Sequence, residues 1–384
     1  MRIAMLSNFF NKHQQPVSDA FAKTPNVVYR FIETERIPQE RCILGCDDNC
    51  VYVDRIYESS YQMEVCMDFI YKADVTIIGS ASQSLIKDRQ KNGRLIFRYS
   101  ERPLKNGFEP IKYFPRFIKW RKMNPIDKPI YMLCASAFTA GDYAKFGLFK
   151  GKCYKWGYFP ETRRYDHIEH IVEQKDKKML LWCGRFLDWK HPDDAIEIAE
   201  RLRDAGYNFS LKLIGSGEME PLLRKRIKES NLENNVELLG TMSPESVRDV
   251  MEKAGIFLFT SDRKEGWGAV LNEAMNSGCA VIASHLAGAT PYLVEDGRNG
   301  YVYESGNVDE LYRKVRYLLN CPEKQDELGM SAYSTIAELW NADVAAERFV
   351  KLSNAILEGD KTPNLFSTGP CSRAEIIQED WYKK

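Results

Sequence analysis

Short apolar runs rich in β-branched and aromatic residues alternate with amphipathic stretches along this chain, and the alternation happens twice. The first series holds R-I-A-M-L (2–6), V-V-Y-R-F (27–31), V-T-I-I-G (75–79), R-L-I-F-R-Y (94–99) and Y-M-L-C-A (131–135). Continuous apolar runs of this length read as strands covered on both faces, the condition of a parallel sheet. Between them lie stretches such as 61–71, where Met63, Cys66, Met67 and Ile70 recur at the three- and four-residue spacing of a helix stripe. Strand, helix, strand, repeated, is the pattern of a doubly wound α/β sheet. Polar residues dominate from 161 to 178, and the alternation then restarts with M-L-L-W-C, F-S-L-K-L-I-G, V-E-L-L-G, I-F-L-F and A-V-I-A. In this second series Ser243 and Pro244 supply an N-cap and a first helical residue. A length of 384 residues calls for more than one core. The expected architecture is therefore two Rossmann-like doubly wound domains, 1–160 and 179–335, joined by a linker over 161–178. Residues 336–384, with an amphipathic helix at 344–357, are expected to pack back on the first domain.

Acidic and basic residues balance at 54 each, so overall charge gives no reason to expect a nucleic-acid partner. No apolar run reaches the ~20 residues of a membrane-spanning helix, and the opening M-R-I-A-M-L-S-N turns polar too soon for a signal peptide. A cytoplasmic protein is expected. The ten cysteines are scattered, several within apolar runs, as suits reduced thiols. Cys42, Cys46 and Cys50 cluster in C-I-L-G-C-D-D-N-C, but their spacing is not a usual ligand pattern and no histidine completes it. No metal is expected.

Ligands of doubly wound sheets bind beyond the carboxyl ends of the strands, and four loops of the second series are unusual there. G-R-F-L-D-W-K places Gly184, Arg185 and Lys190 after the first strand. G-S-G-E brings Gly215 and Ser216 after the second, and G-T-M-S-P follows the third next to Leu239 and Thr241. After the fourth comes E-G-W-G-A-V-L-N-E, with Glu265, Gly266, Trp267 and Gly268 ahead of a helix that contains Glu273. Glycines at a helix N-terminus suit a phosphate. Carboxylates beside a phosphate repel it unless they hold neutral hydroxyls, as of a sugar or a ribose.

E-G-W-G-x4-E, with G-R-F-x2-W-K and I-G-S-G before it and G-C-A-V-I-A-S and V-E-D-G-R-N-G after it, resembles the GT4 group of retaining glycosyltransferases, which have the GT-B fold. The match runs over roughly 178–320. The resemblance implies two domains facing a central cleft and transfer of a sugar from a nucleotide-diphosphate donor. It implies that Glu265 contacts the donor sugar, that Glu273 holds the ribose hydroxyls, and that Arg185 and Lys190 stabilise charge building on the departing diphosphate. The backbone around Leu239 and Thr241 would meet the base, and Gly266 to Gly268 the phosphate and sugar. Same-face attack, in which the departing phosphate oxygen takes the acceptor's proton, needs no metal or other cofactor in this fold.

The first loop, L-S-N-F-F-N-K-H-Q-Q-P, resembles a subset found among bacterial cell-surface polysaccharide and lipopolysaccharide transferases. It offers Asn11 and His13 to the acceptor or the phosphates, with a capping or packing role as the other reading of His13, and Glu101 and Arg102 stand where many relatives have a histidine. W-G-Y-F-P-E (156–161) and G-P-C-S-R-A-E (369–375) resemble the same subset. The segment 108–123 mixes aromatics with five cations. It reads either as a core helix with a solvated basic face or as a peripheral contact with anionic lipid, where a lipid-linked acceptor would wait. A saccharide acceptor is the other expectation. Competing readings are a nucleotide-sugar epimerase, a non-catalytic nucleotide-sugar-binding protein, and a glycosidase using Glu265 and Glu273 as its two carboxylates.

Overall fold

A computed structural model describes residues 1–37 and 50–383 in two units, Met1–Glu161 with Trp340–Gln378 and Thr162–Leu339 with Glu379–Lys384. The first unit is built on β1 (Arg2–Ser7), β2 (Val28–Glu33), β3 (Val53–Arg55), β4 (Val75–Ile78), β5 (Leu95–Ser100), β6 (Ile130–Cys134) and β7 (Cys153–Lys155). All pairs are parallel, in the order β3-β2-β1-β4-β5-β6-β7. The inner strands β4 and β6 are buried at every residue, as their unbroken apolar sequences require. β3 and β7 are three-residue edges, and β7 is covered: Cys371 and Ala374 donate their N–H groups to Lys155 and Cys153, and Ser372 accepts from Lys155. Masking an edge in this way removes a template for unwanted strand addition.

The second unit holds β8 (Asp176–Cys183), β9 (Ser210–Ile214), β10 (Val236–Gly240), β11 (Ala254–Phe259), β12 (Ala280–Ser284) and β13 (Tyr301–Tyr303), again parallel, in the order β10-β9-β8-β11-β12-β13. In both sheets the strand order reverses beside the first strand, at β1/β4 and at β8/β11. The loops leaving those pairs diverge and open a crevice at the carboxyl edge. Helix starts follow local chemistry: the Ser243 hydroxyl accepts the Ser246 N–H ahead of Pro244, and Asn307 and Asn341 cap their helices likewise.

Two expectations about boundaries need correction. The stretch 161–178 is not a free linker, because it contains a helix, Ile168–Glu173, and the start of β8. Ile168 and Val172, four apart, are buried and hold that helix to the second unit. The tail is also divided. The helix Ala342–Leu357 belongs to the first unit, where fully buried Phe349 meets Phe21, Phe97 and Trp156 at ring distances of 5.4, 4.9 and 5.8 Å. Each such aromatic pair contributes about 0.5–1.5 kcal/mol beyond its buried area. Residues 379–384 return to the second unit, where Trp381 donates its indole N–H to the His285 carbonyl at 3.1 Å. Among the described residues no helix is long and apolar enough to cross a membrane.

Candidate active site

At the β8/β11 reversal two loops are tied together. Thr260, the first residue after β11, places its hydroxyl 2.6 Å from the Lys190 carbonyl and accepts the Trp182 indole N–H at 2.8 Å. The Asp262 N–H donates to the Trp189 carbonyl at 2.9 Å. These bonds fix both backbones, and between them Lys190 Nζ lies 2.5 Å from Glu265 Oε2, which also accepts the Ser261 hydroxyl at 3.1 Å. A cation and a carboxylate 75 residues apart in sequence thus meet in a largely desolvated position, with side-chain exposures of 13% and 12%. His191, the next residue, has left-handed backbone (φ 50°), and a hydrogen bond from its ring to Asp262 pushes the imidazole above its usual range.

The stretch after Glu265 is seated on the end of β11. Gly268 has φ 95°, and a Cβ there would stand 2.3 Å from the Phe259 ring, so only glycine allows this approach. The loop after β12 secures it from the other side, with Gly288 and Ala289 donating their N–H groups to the carbonyls of Glu265 and Trp267. Among the described residues the N–H groups of Gly266 and Gly268 make no backbone hydrogen bond, and both stand at the start of the helix Ala269–Asn276. The Trp267 side chain does not line this edge. It is fully buried and donates its indole N–H to Asn272 at 2.8 Å, so it anchors the loop from below. A large ring between two buried glycines fills core space rather than lining a polar crevice.

Glu273 lies one turn into that helix and is half-buried. Burial pushes its carboxyl up to about 7 against a smaller downward pull from Arg248. The same surroundings, with Glu273 itself, push the Cys183 thiol at the end of β8 up to about 12. The two glutamates are therefore in different surroundings: Glu265 is paired with a cation, whereas the main influence on Glu273 is burial.

The loops after β8, β9 and β10 form the other half of the edge. Gly184 donates to Ile214, Phe186 to Ser216 and Gly215 to Gly240, all backbone bonds of 2.8–3.0 Å. Gly215 has φ 136°, and a Cβ on it would lie 1.9 Å from the Gly184 carbonyl oxygen. This turn thus lies directly against the neighbouring loop's backbone. Arg185, Ser216 and Thr241 are exposed on the edge, Leu239 is half-buried, and the Ser216 and Thr241 hydroxyls stand 3.0 Å apart. His191, Asp193 and Asp194 bring ligand-type atoms within 4.8 Å of one another. Asp193 and Asp194 occupy the first turn of the helix Pro192–Asp204, where carboxylates are ordinary.

Asn11, His13, Glu101 and Arg102 all lie in the first unit. Asn11 shapes the turn after β1, accepting the His13 N–H at 3.0 Å on its side chain and the Gln14 N–H on its carbonyl. The His13 ring is stacked 6.3 Å from that of Tyr158, and burial lowers its imidazole from the usual range. Tyr158 in turn donates its hydroxyl to Glu101 Oε1 at 2.6 Å, while Lys105 binds the other oxygen. Tyr158 is the residue missed in the sequence, although W-G-Y-F-P-E contains it. Arg102 is not available to an acceptor: it is buried, pairs with Asp142 at 3.3 Å and lies over the Phe138 ring at 4.6 Å. Arg102→Met is expected to strand the buried Asp142 carboxylate and cost about 3–5 kcal/mol of stability. A depressed unfolding midpoint with unchanged acceptor KM would show this; a raised KM with an unchanged midpoint would contradict it. Of the clustered cysteines only Cys50 lies within the described residues, half-buried near Gln15, and Cys42 and Cys46 lie outside them.

Residues 164–335 match the model of the glycosyl transferases group 1 family. The second unit is a group 1 glycosyltransferase domain. An uncharacterized glycosyltransferase of Methanocaldococcus jannaschii is 32% identical over 161 residues, 42% of this chain and 44% of that protein. The poly(ribitol-phosphate) alpha-N-acetylglucosaminyltransferase of Staphylococcus aureus is 28% identical over 180 residues, 47% of this chain and 36% of its own length. The chain thus spans less than half of these two relatives. In fold the likeness spans nearly the whole chain: HepE of Anabaena, solved with UDP, superposes with a TM-score of 0.68 over 92% of this chain and 100% of its own, at 14% identity. The group 1 domain and a second parallel α/β unit before it are the two parts of the GT-B fold.

Proposed function

We propose that this protein is a retaining glycosyltransferase of the GT4 type, moving a sugar from a nucleotide-diphosphate donor to a hydroxyl of a saccharide or lipid-linked acceptor in cell-surface polysaccharide synthesis. The observation that carries the reading is the Lys190–Glu265 pair at the β8/β11 reversal of a group 1 domain. An arriving diphosphate competes for Lys190, and Arg185, exposed on the same edge, adds a second cation. Glu265 then accepts hydrogen bonds from the sugar hydroxyls, Glu273 from the ribose, and the N–H groups of Gly266 and Gly268 meet phosphate oxygens. The bond between the sugar's anomeric carbon and the diphosphate oxygen breaks with its electron pair passing to that oxygen. The acceptor oxygen bonds to the same face of the carbon, and its proton goes to the departing phosphate. Arg185 and Lys190 stabilise the charge that develops there. His13, Tyr158 and Glu101 form the acceptor side in the first unit, and no metal or other cofactor is required. The setting is cytoplasmic, at the inner face of the membrane.

HepE, solved with UDP, supports a uridine diphosphate sugar as the first donor to try. Screening the full chain for thermal stabilisation by UDP-, GDP- and ADP-sugars tests the reading. A donor at a hundred times its Kd adds ~2.7 kcal/mol, a rise of roughly 5–10 °C for a unit of this size. If no nucleotide sugar or nucleotide shifts the melt, the assignment fails.

A further inference from the structure

The helix Pro110–Met123 has two apolar faces, and only one of them has a partner. Tyr113, Phe117 and Trp120 face the core of the first unit, with Tyr113 and Trp120 against Phe146 at ring distances of 5.2 and 4.5 Å. On the opposite face Ile111, Phe114 and Ile118 are 93%, 68% and 57% exposed, and Phe108 just ahead of the helix is 46% exposed. Pro115 is exposed too, and carries no N–H. At 1.5 Å per residue this apolar stripe runs for about two turns. A stripe of this kind on a water-soluble surface marks a contact still to be made.

Charge selects the partner. Lys112, Arg116, Lys119, Arg121 and Lys122 stand against the single carboxylate Glu109 in the segment 108–123. At 100° per residue Lys112 and Lys119 border the stripe on one side, Arg121 borders it on the other, and Lys122 continues it. Lys119 and Lys122 are exposed. By contrast, the exposed Tyr61 and Val65 of the helix Ser60–Lys72 sit among Glu64 and Asp68, a setting that repels an anionic surface.

We infer that the outer face of the helix Pro110–Met123 is a docking surface for an anionic lipid bilayer, lying in the headgroup layer with Ile111, Phe114 and Ile118 inserted and the lysines on phosphate groups. The helix lies flat, because its inner face stays packed. The surface stands independently of the sugar chemistry and rests on the proposed function only for its purpose, meeting a lipid-linked acceptor where it is held.

The test is sedimentation of the full chain with vesicles of phosphatidylglycerol and phosphatidylcholine, or of phosphatidylcholine alone. Phe114→Ser with Ile118→Ser, and separately Lys119→Glu with Lys122→Glu, should each lower the bound fraction at the phosphatidylglycerol vesicles by roughly tenfold or more. All four side chains are exposed, so the unfolding midpoint and its response to nucleotide sugars should be unchanged. Binding equal on both vesicle types, no binding by the parent protein, or variants that bind like the parent would each overturn the inference. So would a dimer on gel filtration that Phe114→Ser dissociates, because a second copy would then own the stripe. Vesicle binding without any nucleotide-sugar response would remove the glycosyltransferase reading and leave the docking surface standing.

Discussion

Glu265→Gln is expected to lower turnover by roughly a hundred- to a thousandfold, the scale of losing one preorganised charge contact at a reacting centre, while the affinity for free nucleotide falls only a few-fold. Glutamine is the informative replacement. Its carbonyl oxygen still accepts the Lys190 ammonium now 2.5 Å from Glu265 Oε2, and the Ser261 hydroxyl. The loop therefore keeps its geometry. Alanine should be equally inactive but less stable, because it strands Lys190 in a position only 13% exposed. Steady-state rates beside calorimetric nucleotide binding separate the two effects. Full turnover in the glutamine variant would remove Glu265 from the chemistry, and with it the proposed mechanism.

Glu273→Gln should change stability and binding in opposite directions. The folded protein raises this carboxyl to about 7 from a usual 4.5, chiefly by burial. Because the folded state holds the proton more tightly than the unfolded chain, this group makes no difference to stability well below pH 4.5. Stability is lost as pH rises from there through 7, and the full cost is present above it. A shift of that size is worth about 3 kcal/mol. The glutamine variant should thus unfold at the same temperature as the parent near pH 4 and several degrees higher near pH 8. Its donor affinity should nevertheless drop by about ten- to a hundredfold, since hydrogen bonds to a charged acceptor contribute about 1.5–3 kcal/mol. Parallel melting curves for the two proteins across this pH range would contradict the buried-carboxylate account. Unchanged donor affinity would take Glu273 away from the ribose. A group that destabilises the empty protein and is kept for its ligand is a familiar stability–activity conflict.

The strands that were legible are the ones enclosed on both faces. V-T-I-I and Y-M-L-C announce β4 and β6 because every residue is buried. β3, β7 and β13 are three-residue edges, too short to form an apolar run, and nothing in V-D-R separates a strand from a loop. Inside the polar stretch 161–178 the helix signal was Ile168, Ile171 and Val172 alone, three aliphatic residues among charges. At the site, the motif spacing located Lys190 and Glu265 but not their contact, since the backbone bonds through Thr260 and Asp262 that align them form only when β8 and β11 pair. T-S-D directly after I-F-L-F is the local sign that could have been used. Arg102 was misread because position in a motif says which loop a residue belongs to, not which way its side chain turns.

The division of the tail carries a lesson for protein engineering. The group 1 match ends at 335, yet Phe349 fills the other unit's core and Trp381 returns to His285. A single crossover near 161 between relatives would leave 379–384 with its own unit but give the first unit a foreign 340–378, and with it a foreign Phe349. A chimera that respects this topology needs three junctions, near 161, 339 and 378, so that each hydrophobic surface inherits the segment that evolved to cover it.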